Sequence, residues 1–345
     1  MKTAFLYTEN FMKYDLGENH PLNPVRLKKT YDMIKKYNIL DFYVEAKPVS
    51  EHDLYLAHSK EYIEAVKTEK NLEMYGFGTP DNPIFKNIFE SSLYYVGASV
   101  QCSGYSRAFN ISGGLHHAKR NRASGFCVFN DCVVLIKKLL EKYRRVAYID
   151  IDTHHGDGVQ EAFYTDPRIL FISIHESGKF LFPGTGDTSE IGIGDGRGTT
   201  INIPLAPFTT DEIYLDMFRK IVLPITKDFD PEIIVTQLGI DTHYLDPLSH
   251  LYLTLKGYGD VIREMKKISK KWIALGGGGY NLETVPRAWA LAYSIMRDVD
   301  IDFTKIYEEE SKEVKKYKDL GTNAKYFADV TYKNLKGEIS EYFSI

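Results

Sequence analysis

The sequence has little that would suit a secreted, membrane-spanning or nucleic-acid-binding protein. Its 345 residues include three cysteines (Cys102, Cys127 and Cys132), which form no CxxC pair, and this favours a reducing compartment over a disulfide framework. No apolar run reaches the roughly 18 to 20 residues that a membrane span needs, and residues 1–14 lack the apolar core of a secretion signal. The net charge of −4 argues against a broad basic face for nucleic acid. We therefore expect a cytoplasmic protein with neither nucleic-acid nor membrane partners.

Short apolar runs recur along the chain and predict the strands of a sheet. Most are continuously apolar rather than alternating, which is typical of parallel strands covered on both faces. Helical patterns lie between them, for example over residues 24–36 and 131–142. Alternating strands and helices favour a single-domain α/β fold with a mainly parallel sheet flanked by helices. The predicted strands are Ala4–Tyr7, Ala108–Ile111, Val146–Ile149, Ile169–Ile174, Thr199–Ile203, Ile233–Leu238 and Trp272–Leu275.

The strongest chemical motif follows the predicted strand Val146–Ile149. Asp150, Asp152 and His154 are spaced two apart and share a face wherever the chain is extended. In an open parallel sheet the carboxyl ends of the strands face the crevice where ligands bind. An Asp-x-His pair offers the oxygen and nitrogen ligands that suit Zn²⁺ or Fe²⁺. The alternative is that the acids cap a helix and His154 is a loop residue, but burying such groups without a cation would be costly.

A further acid is a candidate for completing this metal site. Asp241 follows the apolar run Ile233–Leu238, so it also stands after a predicted strand. Its role as a helix cap is an equally good interpretation from the sequence alone. Asp246, which precedes a proline, is more typical of a turn.

Two other segments offer groups for acid–base chemistry. His116 and His117 follow a Gly-Gly pair; one could activate water and the other could donate a proton to a leaving group. Each would need its other ring nitrogen held, and Asp150 and Asp157 could do this. Tyr280 follows four glycines and could hydrogen-bond an oxyanion, while the lack of a following Lys-Ser/Thr disfavours a phosphate loop. Ordinary loop histidines and a tight turn with a packed tyrosine are the alternatives.

Together these segments resemble the histone deacetylase superfamily, which has the arginase–deacetylase fold, and most of all its acetoin-utilisation-type and class I-like prokaryotic members. The resemblance extends over nearly the whole chain, from His20 to Trp289. It rests on five specific motifs: Gly113-Gly-Leu-His-His-Ala118 with Ser124-Gly-Phe-Cys127, Asp150-Ile-Asp-Thr-His-His-Gly-Asp-Gly158, Phe182-Pro-Gly-Thr-Gly-Asp187, Gln237-Leu-Gly-Ile-Asp241 and Gly276-Gly-Gly-Gly-Tyr280.

The resemblance implies a zinc-dependent lysine deacetylase, with Fe²⁺ as an alternative metal and the active site at the carboxyl ends of the strands. It implies the metal ligands Asp152, His154 and Asp241. It makes His116 and His117 the catalytic pair, backed by Asp150 and Asp157, and makes Tyr280 the group that polarises the amide carbonyl. The implied substrate contacts are Asp81, Gly125, Phe126, Phe182 and Leu248, and Arg26 is implied beside an acetate exit. A structural K⁺ is implied near Asp150, Asp152, His154 and Ser173.

The expected substrate is an acyl-lysine protein or peptide. Leu115 stands where many eukaryotic members have Trp, and we find no counterpart of the insertion that dimerises acetylpolyamine-specific relatives. A small-molecule deacylase, such as an acetylpolyamine amidohydrolase, is the alternative, and the sequence leaves the oligomeric state open. We expect residues 1–320 to form the catalytic domain and residues 321–345 a helical extension packed on it. The charge run at residues 307–318 is typical of a solvated helix or tail.

Overall fold

The structure is a computed structural model and describes residues 2–345, apart from the side chains of residues 318–320. Its strands are β1 (Ala4–Tyr7), β2 (Phe42–Glu45), β3 (Arg107–Asn110), β4 (Val146–Asp150), β5 (Ile169–Glu176), β6 (Thr200–Leu205), β7 (Ile233–Gln237) and β8 (Trp272–Leu275). They form one parallel sheet of eight strands in the order β2-β1-β3-β8-β7-β4-β5-β6. The predicted fold class is confirmed.

Helices pack around this sheet. They are α1 (Val25–Lys36), α2 (Glu51–Leu54), α3 (Lys60–Thr68), α4 (Ile88–Cys102), α5 (Asp131–Leu139), α6 (Asp157–Phe163), α7 (Asp211–Met217), α8 (Leu223–Phe229), α9 (Leu255–Ile268), α10 (Thr284–Arg297), α11 (Thr304–Val314) and α12 (Gly321–Ile339). Every residue of β4, β5 and β7 is buried. The continuously apolar runs therefore form strands that are covered on both faces, as parallel strands usually are.

The predicted strands are all present, and the structure has one further strand, β2, that the sequence pattern does not predict. This strand lies at the edge of the sheet beside β1, and most of its residues are exposed. It therefore lacks the continuous apolar run by which the interior strands were recognised. The helix predicted for residues 131–142 is also shorter than expected, because α5 ends at Leu139.

Local capping explains where α5 begins. The Asn130 side chain accepts a hydrogen bond from the Val133 N–H at 3.0 Å, as an N-cap residue does. Its amide nitrogen donates in the other direction, to the carbonyl oxygens of His116 (3.1 Å) and Ala118 (3.0 Å). One capping residue thus ties the start of a helix to the segment that carries the histidine pair.

The C-terminal part of the chain packs on the same sheet. Helix α12 lies against β6, with Ala324, Ala328 and Leu335 buried and the Thr331 hydroxyl donating to the Pro204 carbonyl at 2.9 Å. The expectation that the 307–318 charge run is solvated is wrong for Glu310, which is 7% exposed. In the described part of the chain, we find no helix with the length and apolar character that crossing a bilayer requires.

Candidate active site

The candidate site lies at the carboxyl ends of four neighbouring strands, β3, β8, β7 and β4. Asp150 is the last residue of β4, and the segments that follow the other three strands supply the remaining polar groups. Because parallel strands end at the same edge of a sheet, side chains from distant parts of the sequence meet there. These groups come from four separate motifs, as the sequence predicts.

Asp152, His154 and Asp241 converge into one buried cluster. Each offers one ligand atom, and these atoms all lie within 4.8 Å of one another. The Nδ1 atom of His154 is 3.1 Å from Asp152 Oδ1 and 3.0 Å from Asp241 Oδ2. Two carboxylates and one imidazole form a donor set that suits a divalent transition-metal ion.

Neighbouring groups fix the orientation of both carboxylates. Asp152 Oδ2 accepts hydrogen bonds from Gln237 Nε2 (2.6 Å) and from the Gly278 N–H (2.7 Å). Asp241 Oδ1 accepts one from the Thr153 N–H at 2.8 Å. Asp152 Oδ1 also accepts the His154 backbone N–H at 3.0 Å, so neutral donors hold Asp152 through both oxygens and Asp241 through one.

The glycine at position 278 keeps the space beside these carboxylates open. A Cβ atom there would lie 2.0 Å from Asp241 Oδ2 and 2.7 Å from Asp152 Oδ2. Burial alone would lower the pKa of His154, but its hydrogen bonds with the two carboxylates outweigh this and raise the pKa to about 10. The cluster therefore creates a strongly negative environment, and its residues fit a bound cation.

His116 lies beside this cluster and is held by Asp150. Its Nδ1–H donates to Asp150 Oδ2 at 2.7 Å, and its Nε2 lies 4.0 Å from Asp152 Oδ1. Asp150 also accepts hydrogen bonds from the Tyr148 hydroxyl (2.9 Å) and from the Asp152 N–H (3.1 Å). This pairing between His116 and Asp150 is the one that the sequence suggested.

His117 has a different carboxylate partner. Its Nδ1–H donates to Asp157 Oδ1 at 2.7 Å, while Asp157 Oδ2 pairs with Lys119 Nζ at 2.7 Å. The Nε2 atoms of His116 and His117 lie 3.0 Å apart. Both imidazoles therefore carry their Nδ1 hydrogen towards a carboxylate and direct Nε2 towards the centre of the site.

The two imidazoles differ in charge. Burial lowers the pKa of His116, but the charge of Asp150 and that of Asp152 outweigh it and raise the pKa to about 9. Burial lowers the pKa of His117, and the neighbouring charge of His116 lowers it further, to about 4, in spite of Asp157. At neutral pH the site therefore offers a proton donor and a proton acceptor side by side.

Tyr280 ends the glycine-rich loop that follows β8. Its N–H donates to Asp246 Oδ2 at 2.8 Å, and its ring stands nearly perpendicular to that of His154, with centroids 6.5 Å apart. Burial raises the pKa of Tyr280 well above its usual value, and the charges of Asp241 and Asp152 raise it further. The Tyr280 hydroxyl is therefore protonated and can donate a hydrogen bond.

Aromatic rings border the site on its outer side. The Phe182 ring is 42% exposed, and its centroid lies 5.0 Å from that of His117. The half-buried Phe126 ring lies 5.7 Å from that of Tyr280. Gly125 has a φ of +51°, and a Cβ there would lie 2.4 Å from His117 Cδ2, so this position has no room for a side chain.

Arg26 supports the glycine-rich loop from behind. It is 3% exposed, and its Nη1 donates to the carbonyl oxygens of Gly277 (2.9 Å) and Gly279 (2.8 Å). A cavity of about 20 Å³ lies on the side of this loop that faces the site, and His116, His117, Asp152 and Tyr280 are among the residues that line it. The acetate exit implied at Arg26 stays a prediction.

Among the residues that the structure describes, three that were predicted to bind substrate or K⁺ form no hydrogen bond to the buried cluster through their side chains: Asp81, Leu248 and Ser173. Asp81 has an exposed side chain, and it is the adjacent Asn82 whose Oδ1 accepts the Phe126 N–H at 3.1 Å. Leu248 is half-buried on the segment that follows β7. Ser173 is paired in register with Asp150 of β4, but its hydroxyl bonds to another side chain. The substrate and K⁺ roles of these residues stay predictions.

Apart from Asp150 and Asp157, the residues that hold the site in place were not predicted from the sequence. Asp246 was interpreted as a turn residue, and it does accept the Leu248 N–H at 3.0 Å, but its second oxygen positions Tyr280. Gln237 carried a signal, because a polar side chain that ends a buried strand needs a partner. The remaining ones, Tyr148, Lys119 and Thr153, had no pattern that pointed to the site.

The fold and the site define a histone deacetylase domain, and a family model described as "Histone deacetylase domain" matches residues 20–296. The chain belongs to the histone deacetylase family. The acetoin utilization protein AcuC of Bacillus subtilis is 40% identical over 320 residues, covering 86% of this chain and 83% of that protein. AcuC of Staphylococcus aureus strain MRSA252 is 38% identical over 322 residues, covering 87% and 83%.

Solved structures agree with this assignment. A crystal structure of an HDAC homolog from Aquifex aeolicus superposes with a TM-score of 0.82 at 31% identity, covering 91% of this chain and 88% of that one. A crystal structure of an HDAC homolog complexed with SAHA gives a TM-score of 0.84 at 29% identity, covering 98% and 100%. The resemblance to acetoin-utilisation-type deacetylases is therefore confirmed.

Proposed function

We propose that this chain is a zinc-dependent hydrolase that removes acetyl or other short acyl groups from the Nε atom of lysine in proteins or peptides. Membership of the histone deacetylase family supports amide hydrolysis in general. The observation that carries the proposal is geometric: His116 and His117 each bind a carboxylate through Nδ1, and both lie beside the buried cluster of Asp152, His154 and Asp241. This arrangement supplies a base and an acid next to a place for a divalent cation.

Asp152, His154 and Asp241 would hold the zinc ion, with a ferrous ion as the alternative. When bound, such an ion supplies Lewis-acid polarisation of the amide carbonyl and makes a water molecule more acidic. The negative environment of the two carboxylates favours cation binding. The family resemblance adds a structural K⁺ bound through main-chain oxygens, which here would involve Asp150, Asp152, His154 and Ser173.

His117 would act as the general base. Its Nδ1–H is bound to Asp157, so its Nε2 carries a lone pair, which accepts the hydrogen of the charged His116 at 3.0 Å. When the attacking water takes the place of His116 as donor, the same lone pair would take a proton from that water. The same nitrogen would then return this proton to the lysine nitrogen as the amide bond breaks. His116 carries a positive charge 3.0 Å away, which stabilises negative charge that develops on the substrate.

Tyr280 would donate a hydrogen bond to the oxygen of the tetrahedral intermediate. A well-placed donor of this kind contributes roughly 3 to 4 kcal/mol to stabilising the transition state. Asp246 assists by holding the Tyr280 backbone N–H, which fixes where the ring emerges from the glycine loop.

The bordering residues fit a long, apolar substrate arm. Phe126 and Phe182 would flank the four methylene groups of the lysine side chain, with Gly125 leaving room over His117. Asp81, an exposed acid, would accept hydrogen bonds from backbone amides of a peptide at the entrance. Leu248 would add apolar contact at the same rim.

The test compares acetyl-lysine peptides with N-acetylspermidine as substrates of the purified, zinc-loaded protein, with acetate release as the readout. We expect kcat/KM to be at least about tenfold higher for the peptides, since the site gains binding energy from both the apolar stem and the peptide backbone. A preference for acetylspermidine would contradict the lysine assignment. Acetate release that persists without metal would contradict the proposed hydrolysis.

A further inference from the structure

One carboxylate from the C-terminal charge run is buried next to the segment that carries the site. Glu310 lies on α11, beyond residue 296, where the family model ends. Its Oε1 is 3.0 Å from His243 Nε2, and its Oε2 accepts the Leu255 N–H at 2.7 Å. The neighbouring Glu308 and Glu309 on the same helix are exposed.

The contact made by His243 Nδ1 shows which group donates the hydrogen bond between His243 Nε2 and Glu310. The Leu245 N–H donates to His243 Nδ1 at 3.2 Å, so the ring hydrogen is on Nε2 and is donated to Glu310. His243 is 1% exposed and Glu310 is 7% exposed. Hydrogen bonds that involve a charged group are stronger than neutral ones, and a buried carboxylate without them would be costly.

Glu310 contacts both ends of one loop. Residues 242–254, here called the site loop, lead from Asp241 to the start of α9. The loop is closed at its base by Tyr244 N–H to Leu253 O (3.0 Å) and Leu253 N–H to Thr242 O (3.2 Å). His243 lies on the outgoing part of the loop, and Leu255 is the first residue of α9 after its return.

The position of Leu255 explains why a carboxylate is favoured here. The first N–H groups of a helix have no partner within the helix, and the N-terminal end of the helix dipole attracts negative charge. Glu310 satisfies the Leu255 N–H and joins it to the outgoing part of the loop through His243. The acidic side chain thus fastens both parts of the site loop to α11.

Two groups on which the site depends lie next to the site loop or within it. Asp241 immediately precedes the loop, and Asp246 within it holds the Tyr280 N–H. We propose that Glu310 is a positioning residue that, through His243, holds the site loop so that Asp241 and Asp246 keep their places. This inference rests on the proposed function for its catalytic consequence, but not for its effect on metal binding.

The test uses Glu310→Ala and Glu310→Gln, with Glu308→Ala as a matched control on the exposed side of the same helix. Three quantities are measured: the Kd for Zn²⁺ by competition with a chelator, kcat and KM for an acetyl-lysine peptide, and the Tm of the metal-free protein. We expect Glu310→Ala to raise the Zn²⁺ Kd by about 3- to 10-fold, less than the roughly 10- to 100-fold that is usual when a direct hydrogen-bond partner of a ligand is lost. We also expect the fall in kcat to exceed any rise in KM, because Leu248 is the one proposed rim residue that lies on the site loop.

Glu310→Gln should give an intermediate Zn²⁺ Kd. Its amide oxygen can still accept the hydrogen from His243, but its NH₂ group faces the Leu255 N–H, so one of the two bonds is lost. Glu308→Ala should match the wild type in all three quantities.

A lower Tm together with a Zn²⁺ Kd and a kcat within twofold of wild type would overturn the proposal, because it would show a purely structural role. If Glu310→Ala does not fold, the volume-conserving Gln variant decides, and a wild-type Zn²⁺ Kd in that variant would overturn it. If the wild type hydrolyses no acyl-lysine peptide, the proposed function fails, while the Zn²⁺ Kd still tests Glu310.

Discussion

Protonation of a buried histidine next to the site should weaken the fold in acid. His58 is 1% exposed; the Asn130 N–H donates to its Nε2 at 2.9 Å, and its Nδ1–H donates to the Lys119 carbonyl at 3.0 Å. The ring also packs against those of Tyr62 and Phe129, at centroid distances of 5.3 and 5.2 Å. Burial lowers the pKa of His58 from 6.5 to about 4.

The sign and size of the effect follow from linkage between protonation and folding. The unfolded chain binds a proton at this position near pH 6.5, whereas the folded chain resists it until about pH 4. The contribution of neutral His58 is therefore fully present above about pH 6.5 and is lost as the pH falls towards 4. Between about pH 7.5 and about pH 4.5, this difference amounts to about 2.5 kcal/mol of the free energy of unfolding.

The assay is denaturant unfolding of metal-free protein over that pH range, for wild type, His58→Gln and the exposed control His52→Gln. Glutamine can accept the Asn130 N–H but loses the other hydrogen bond, so we expect a loss of about 1 to 2 kcal/mol at pH near 7.5. Because glutamine does not titrate, the wild type should lose about 2.5 kcal/mol relative to the variant on going to about pH 4.5. The order should therefore reverse, with His58→Gln more stable by about 0.5 to 1.5 kcal/mol at that pH. The control should follow wild type throughout. A gap that stays constant with pH would refute the reasoning.

Three further predictions concern the chemistry. Tyr280→Phe should lower kcat by about 10²- to 10³-fold while metal content, measured by elemental analysis, stays at the wild-type level; unchanged turnover would reject the role of its hydroxyl. Asp241→Ala should lose the metal, and full occupancy in that variant would remove Asp241 from the ligand set. His117→Ala should lower kcat more than His116→Ala, since only His117 is neutral at pH 7; equal losses in steady-state assays would show that the two histidines share the base role.

The sequence was sufficient to predict the sheet and the convergence of the site. Interior strands such as β4 and β8 are apolar at nearly every position, and the polar residues that follow them must meet at one edge. It could not predict that β7 and β8 lie between β3 and β4, because strand order depends on packing and not on any local pattern. The exposed edge strand β2 was missed for the opposite reason, since it lacks an apolar run.

The supporting contacts were harder to predict than the groups they support. Asp246 and Tyr280 are 34 residues apart, and His243 and Glu310 are 67 residues apart. No spacing rule links residues at such distances, and each taken singly is typical of a turn, a loop or a solvated helix. Only the tertiary fold brings them together.

The different charges of the two adjacent histidines show the same dependence on distant partners. In the described part of the chain, His116 is the one cationic side chain in contact with Asp150, whose other donors are a hydroxyl and an N–H. The charge of Asp150 therefore acts undiminished on His116. Asp157 binds both His117 and Lys119, and at His117 burial and the charge of His116 outweigh the effect of Asp157. Two identical neighbours in the sequence thus become an acid and a base because His116 lies beside two carboxylates, Asp150 and Asp152, and its charge lowers the pKa of His117.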